Sequence, residues 1–144
     1  DAYQELHTTH FEGVYAGVLE LLAGLRQHER AIGVVTGKSR RAWEITRAHA
    51  DLGEFDVVIT DDEVQDPKPS AYGIELALAH LNVAPGQAAY VGDSLADIDA
   101  AVNAGVLPVA ACWAKGPRAF EFSAYALERG GISIQYPHQL LSVA

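Results

Sequence analysis

Apolar residues follow two alternating spacings along the chain. Near the start they recur every three or four positions, which predicts a helix over about 13–28. The next apolar run, at 32–35, is short and continuous, as is typical of a parallel strand buried on both faces. The strand pattern returns at 57–59, 88–91, 107–111 and 132–135, with helical spacing between these runs.

This alternation predicts the fold class, an α/β protein with a doubly wound, Rossmann-like parallel sheet and helices on both faces. The length of 144 residues is that of one domain. Ligands of such sheets bind beyond the carboxyl ends of the strands. Polar residues that follow a strand are therefore the candidates for function.

Polar residues of complementary chemistry follow three of the predicted strands. They are Thr36, Gly37 and Lys38 after the first strand, Lys68 in the loop after the second, and Asp93 and Asp97 after the third. A hydroxyl, main-chain N–H groups at a helix start and an ammonium together suit a bound phosphate. Carboxylates would repel that phosphate unless a hard cation lay between them, and Mg²⁺ binds one or two carboxylates together with phosphate oxygens and water.

The strand-end residues also have structural interpretations. Thr36 and Gly37 fit a simple turn from strand to helix. Lys68 fits a solvated loop, although the prolines on both sides of it favour an extended segment that aims its side chain. Two interpretations of Asp97 remain open. It supports a metal ion, or it belongs to a capping box in which its carboxylate only closes the start of a helix. Asp93 is the position that packing explains least.

The charge balance narrows the class of partner. The formal net charge is −9 and the basic residues are scattered, which argues against a nucleic-acid or anionic-membrane role. A single cysteine, Cys112, excludes an intrachain disulfide. The sequence has no apolar run of about eighteen residues and no basic-then-apolar leader, so we expect a soluble, cytoplasmic protein.

Three segments, in this order, resemble motifs of the haloacid dehalogenase superfamily of phosphohydrolases. Residues 34–38, Val-Val-Thr-Gly-Lys, are similar to its second motif, a hydrophobic strand that ends in Thr or Ser. Lys68-Pro69 resembles the third motif, and residues 91–97, Val-Gly-Asp-Ser-Leu-Ala-Asp, resemble the fourth, Gly-Asp-x-x-x-Asp. The loop 61–69 and the segment 97–105 are similar to the corresponding parts of phosphoglycolate phosphatases.

The resemblance implies a role for each candidate residue. Four would bind the transferring phosphoryl group or neutralise its charge, namely Thr36, Gly37, Lys38 and Lys68. Two would serve Mg²⁺, Asp93 as a ligand and Asp97 as support of the metal site. The implied reaction is hydrolysis of a small, phosphoglycolate-like phosphate monoester through an aspartyl-phosphate, which divides one difficult step into two easier ones.

The sequence departs from the superfamily at the first motif. That motif is Asp-x-Asp after an N-terminal strand, and none precedes Thr36. The one Asp-x-Asp spacing, from Asp97 to Asp99, lies inside the fourth motif. By this resemblance, residues 1–12 are the end of a helical cap and 13–144 are the core domain without its nucleophile strand. We therefore expect the chain to be inactive alone.

The missing strand would lie mid-sheet, between the strands predicted at 32–35 and 88–91. Each buried backbone group left unpaired there would cost about 1–3 kcal/mol. Three outcomes are therefore expected. The chain continues upstream in the gene, a second fragment or self-association fills the gap, or the two strands pair directly.

Two functions of different class remain open. The chain is the core of a small-molecule phosphatase, or it is a non-catalytic phosphate-binding or interaction module derived from one. A phosphomutase or dehalogenase relative is also possible, although Lys68 and Asp93 favour phosphate and metal. A receiver domain of two-component signalling is disfavoured, because its acidic residues precede the Thr and the Lys along the chain.

Overall fold

The five predicted strands are all present in the computed structural model, which describes residues 16–113 and 115–143. The strands are β1 (Gly33–Val35), β2 (Val57–Ile59), β3 (Ala89–Gly92), β4 (Leu107–Ala111) and β5 (Ile132–Ile134). The α-helices are α1 (Val18–Gln27), α2 (Arg40–His49), α3 (Tyr72–Leu81), α4 (Leu95–Ala104) and α5 (Ala119–Glu128). Short 3₁₀ turns lie at Asp61–Glu63, Pro85–Gln87, Gly116–Arg118 and Pro137–Ser142.

All the strand pairs are parallel, but they form two groups. β1 pairs with β2, with Val34 opposite Val58. β4 lies between β3 and β5, with Val91 opposite Val109. No ladder joins β1 to β3 among the described residues. Direct pairing of these two strands, one of the three outcomes expected from the sequence, is therefore wrong, and the other two stay predictions.

Helices cover both faces of the strands, as predicted. Successive residues of a strand point to opposite faces. Val34 accordingly packs against Trp43 of α2 and against α1, whereas Val35 packs against α3 and α4. In β4, Val109 packs against α1 and Ala110 against α4 and α5. The α/β class and the doubly wound arrangement are confirmed.

Local chemistry explains where two of the helices begin and end. α4 ends at Gly105, because this residue adopts a left-handed conformation with φ 76°. Pro69 lies ahead of helix α3 rather than in its first turn. Ser70 forms a turn with Pro67, and its Oγ accepts a hydrogen bond of 3.1 Å from the N–H of Tyr72, where α3 begins. The Lys68–Pro69 peptide is cis.

The predicted remnant of a cap, residues 1–12, lies outside the described residues, so the division at residue 13 stays a prediction. Within the described ranges, no helix is both long enough and apolar enough to span a bilayer.

Candidate active site

The end of β1 presents one main-chain donor toward solvent. Thr36 is buried, its N–H donates to the carbonyl of Ile59 at 3.0 Å, and its Oγ1 accepts from the N–H of Lys38 at 3.2 Å. The N–H of Gly37 has no acceptor among the described residues. This N–H is therefore available for an anion.

The start of helix α2 does not offer the anion site that its position after β1 predicts. The Arg40 N–H donates to both carboxylate oxygens of Asp62, at 3.1 and 3.3 Å, and the Ala42 N–H donates to Ser39 Oγ at 3.2 Å. The negative charge that the helix dipole favours is thus supplied by the protein's own Asp62. The N–H of Gly37 stays open to a ligand anion.

Asp62 belongs to a polar network that sequence reasoning missed. The fully buried hydroxyl of Thr60 lies 2.5 Å from Asp62 Oδ1 and 2.8 Å from Glu63 Oε1, and Arg40 forms an ion pair with Glu63. The Thr60 hydroxyl lowers the pKa of Asp62. Burial raises the pKa of Glu63, but Thr60 and Arg40 outweigh it and the net shift is downward. The Thr-x-x-Glu spacing of a capping box was the available signal.

A small cleft lies beyond the carboxyl end of β1. Thr36, Gly37 and Lys68 line it together, so the structure gathers three of the predicted phosphate-binding residues at one place. Asp61 and Asp66 also line it, and neither was predicted as a site residue. Their charges would repel an anion unless cations lay beside it.

Lys38, the fourth predicted phosphate-binding residue, is half-buried on the turn beside this cleft. Its carbonyl accepts a hydrogen bond of 2.8 Å from the N–H of Asp61. Burial lowers the pKa of its ammonium. Lys38, Lys68 and Lys115 are the three lysines of the sequence, and all lie in loops that follow strands β1, β2 and β4.

Lys68 and Asp97 form a buried ion pair, with 2.7 Å between Nζ and Oδ1. The other carboxylate oxygen of Asp97 accepts from the N–H groups of Asp93 at 3.1 Å and Ser94 at 3.2 Å. Ser94 Oγ in turn accepts from the Asp97 N–H at 3.1 Å, so the capping interpretation is confirmed. Since protein donors bind both oxygens, Asp97 acts on the site through Lys68 and the main chain of Asp93. Its support of a metal stays a prediction.

Burial and the ion pair with Lys68 shift the pKa of Asp97 in opposite directions. Burial disfavours the charged carboxylate, but the ammonium of Lys68 favours it, and the pKa of Asp97 lies below its ordinary value. A carboxyl whose folded pKa is depressed stabilises the protein above its unfolded pKa and loses that contribution as the pH falls through the folded value. The pKa values of Asp62 and Glu63 are shifted in the same direction.

We therefore predict that the free energy of unfolding falls as the pH drops below about 4. Asp97→Asn should make this decline shallower, because Asp97 is the buried one of the three carboxyl groups, the others being Asp62 and Glu63. Urea unfolding curves between pH 7 and pH 2 measure the effect. Equal slopes for the wild type and Asp97→Asn would contradict the assignment, and Asp99→Asn on the same helix serves as the control.

Asp93 presents a carboxylate that has no hydrogen-bond donor among the described residues, although both its N–H and its carbonyl are bonded. The side chain is half-buried. No group of three or more His, Cys, Asp or Glu side chains in the described ranges could hold a metal ion. Mg²⁺ accepts one or two carboxylates with water and phosphate completing its shell, so Asp93 fits as a single protein ligand.

Tyr90 is a further site residue that sequence reasoning missed. Its hydroxyl lies 3.3 Å from Lys68 Nζ and donates to the carbonyl of Val35 at 3.3 Å. Burial raises its pKa well above the ordinary value, so the phenol stays neutral. Tyr90 therefore joins β3 to Val35, which is the last residue of β1 and precedes Thr36. No pattern in the sequence indicates this contact, because 55 positions separate Tyr90 from Val35.

A family model described as haloacid dehalogenase-like hydrolase matches residues 1–111. The chain belongs to this family. Among curated relatives, a pyrophosphatase PpaX of Bacillus cereus (strain G9842) is 33% identical over 123 residues. That alignment covers 83% of this chain and 57% of the relative, so the chain spans just over half of its relative's length.

Solved structures share the haloacid dehalogenase-like fold of this chain. A proposed β-phosphoglucomutase from Thermotoga maritima superposes with a TM-score of 0.76 at 26% identity, covering 90% of this chain and 59% of the other. A proposed phosphoglycolate phosphatase from Lactobacillus plantarum gives a TM-score of 0.73 at 25% identity, covering 99% of this chain and 67% of the other. The superfamily resemblance read from the sequence is thereby confirmed.

Proposed function

We propose that this chain is the core of a Mg²⁺-dependent phosphatase that hydrolyses a small phosphate monoester. The observation that carries the proposal is the shared cleft of Thr36, Gly37 and Lys68, with Lys68 held by Asp97 beside Asp93. A hydroxyl, a main-chain N–H and an ammonium are the groups that bind a phosphoryl group and stabilise its developing charge. The names of the relatives, a pyrophosphatase and a proposed phosphoglycolate phosphatase, support a small and highly charged substrate.

Each residue has a distinct task in this proposal. The Gly37 N–H and the Thr36 hydroxyl orient the phosphoryl oxygens, Lys38 adds positive charge nearby, and Lys68 neutralises the oxygens. Asp97 holds Lys68 in place through their ion pair. Asp93 would hold Mg²⁺, which supplies Lewis-acid polarisation of a phosphoryl oxygen when bound.

The 144 residues contain no Asp-x-Asp nucleophile motif ahead of Thr36. We propose that an Asp-x-Asp segment outside the printed sequence completes the site and forms the aspartyl-phosphate. The second candidate is a non-catalytic phosphate-binding module derived from such a phosphatase. We further propose a cytoplasmic location, with a small phosphorylated metabolite as partner and either self-association or an N-terminal segment completing the sheet.

Phosphate release from phosphoglycolate and pyrophosphate tests the proposal. The 144-residue chain should bind inorganic phosphate, seen as shifts of the Thr36 and Gly37 amide resonances, but release none. With an added N-terminal segment that carries Asp-x-Asp, Mg²⁺-dependent release should appear. Asp93→Asn should lower that release about 100-fold or more, because it removes the metal's carboxylate.

Asp99→Asn is the matched control, since it removes a carboxylate of the same charge that bonds to Tyr125 rather than to the site. It should leave release unchanged. Phosphate binding without release in the completed protein would favour the non-catalytic module. Release that survives Asp93→Asn would reject the metal role of that residue.

A further inference from the structure

One peptide group at the candidate site is held at both of its ends by side chains of opposite charge. The carbonyl of Asp93 accepts a hydrogen bond of 2.8 Å from Lys115 Nζ. The N–H of the same peptide, which belongs to Ser94, donates to Asp97 Oδ2 at 3.2 Å. Each charge lies at the end of the peptide dipole that it stabilises. Rotating this peptide by half a turn would place its oxygen against the carboxylate.

The preceding peptide is fixed as well, because the Asp93 N–H donates to the same Asp97 oxygen at 3.1 Å. Both peptides that flank the Cα of Asp93 are therefore constrained. The two backbone dihedrals of Asp93, and with them the direction in which its side chain leaves the backbone, are set by Asp97 on one side and Lys115 on the other.

Lys115 is itself well placed for this contact. Its N–H donates to the carbonyl of Cys112 at 3.2 Å, and its carbonyl accepts from the Arg118 N–H at 3.1 Å, which anchors its backbone in the loop after β4. Its ammonium lies 5.0 Å from the centre of the Phe122 ring, within the range of a cation–π interaction. Among the described residues, the ammonium forms one hydrogen bond, and its acceptor is the carbonyl of Asp93.

We infer that Lys115 is a positioning residue, whose ammonium fixes the Asp93–Ser94 peptide and so orients the Asp93 carboxylate for its ligand. The identity of that ligand as Mg²⁺ rests on the proposed function. The hydrogen bonds that orient Asp93 do not depend on it. It differs from the simpler idea that a lysine in this loop contacts substrate. A substrate contact would leave the peptide unchanged when the lysine is replaced.

Hydrogen exchange of the Ser94 amide, followed by NMR in the 144-residue chain, tests the inference. Lys115→Met should speed this exchange roughly tenfold, as expected for the loss of one charge-assisted hydrogen bond. Lys115→Arg keeps a charged donor and should restore most of the protection. Arg118→Met removes a positive charge from the same loop without a contact to Asp93 and should leave the rate unchanged.

An unchanged Ser94 rate in Lys115→Met, or an equal change in Arg118→Met, would overturn the inference. Calorimetric titration with Mg²⁺ separates it from the proposed function. Weaker Mg²⁺ binding by Lys115→Met than by the wild type supports both. If the wild type, completed with the Asp-x-Asp segment, binds no Mg²⁺, the metal part of the proposed function fails, while the Ser94 exchange rate still decides the role of Lys115.

Discussion

Gly92→Ala is expected to destabilise the protein by about 3 kcal/mol, the largest effect that we predict for adding a single methyl group. A Cβ at this position would lie 2.3 Å from Asp97 Cβ and 2.6 Å from both Cγ and Oδ2. Asp97 cannot move aside cheaply, because it is buried, bonded to Lys68 and part of the capping box of α4. The new methyl group must therefore displace the ion pair or the end of β3. Urea unfolding at pH 7 measures the loss.

Gly86→Ala is the control for this substitution. A Cβ at Gly86 has no atom within 4 Å, and the residue is not in the left-handed region. Its free energy of unfolding should change by less than about 0.5 kcal/mol. Similar losses for the two variants would show that backbone entropy, rather than the contact with Asp97, explains the effect at Gly92.

Lys68→Met should cost about 3–5 kcal/mol, because it removes the ammonium that lies 2.7 Å from the buried carboxylate of Asp97. Methionine keeps most of the apolar stem, so the loss reports on the charge rather than on packing. Replacing the carboxylate as well should recover part of the stability. Lys68→Met combined with Asp97→Asn should be more stable than Lys68→Met alone.

A double-mutant cycle of these variants at pH 7 gives the coupling energy, which we expect to be about 1.5 kcal/mol or more. Arg129→Met provides a comparison, since Arg129 faces Asp99 at 3.8 Å with both side chains more than one-third exposed. Solvent weakens such a pair, so that substitution should have little effect. Additive effects of the Lys68 and Asp97 substitutions would show that the ion pair contributes nothing of its own.

The strands could be predicted from the sequence almost to the residue, since β2 and β4 coincide with short continuous runs of apolar residues. Helix starts were less predictable. The periodic pattern of α1 extends back to Val14, yet α1 begins at Val18, directly after Gly17, whose φ of 88° is left-handed. Periodicity records which side chains face the core, and it does not record a single residue in a left-handed conformation.

The candidate site was predictable where it depends on the ends of strands. Thr36, Lys68 and Asp97 follow β1, β2 and β3, and the order of such strands in a parallel sheet brings their ends to one edge. The contacts of Tyr90 with Val35 and of Lys115 with the carbonyl of Asp93 were not predictable. Each joins two strand ends that are distant in sequence, so it exists only once the strands have been placed side by side.

The three lysines in loops at one edge of the fold have a practical consequence for chemistry on this chain. Apart from the α-amino group, every primary amine of the sequence lies beside the candidate site. An acylating reagent that is unselective in most proteins would act here as a site-directed label. Counting acyl groups by mass spectrometry, with and without a bound anion, would report occupancy of this edge without any designed probe.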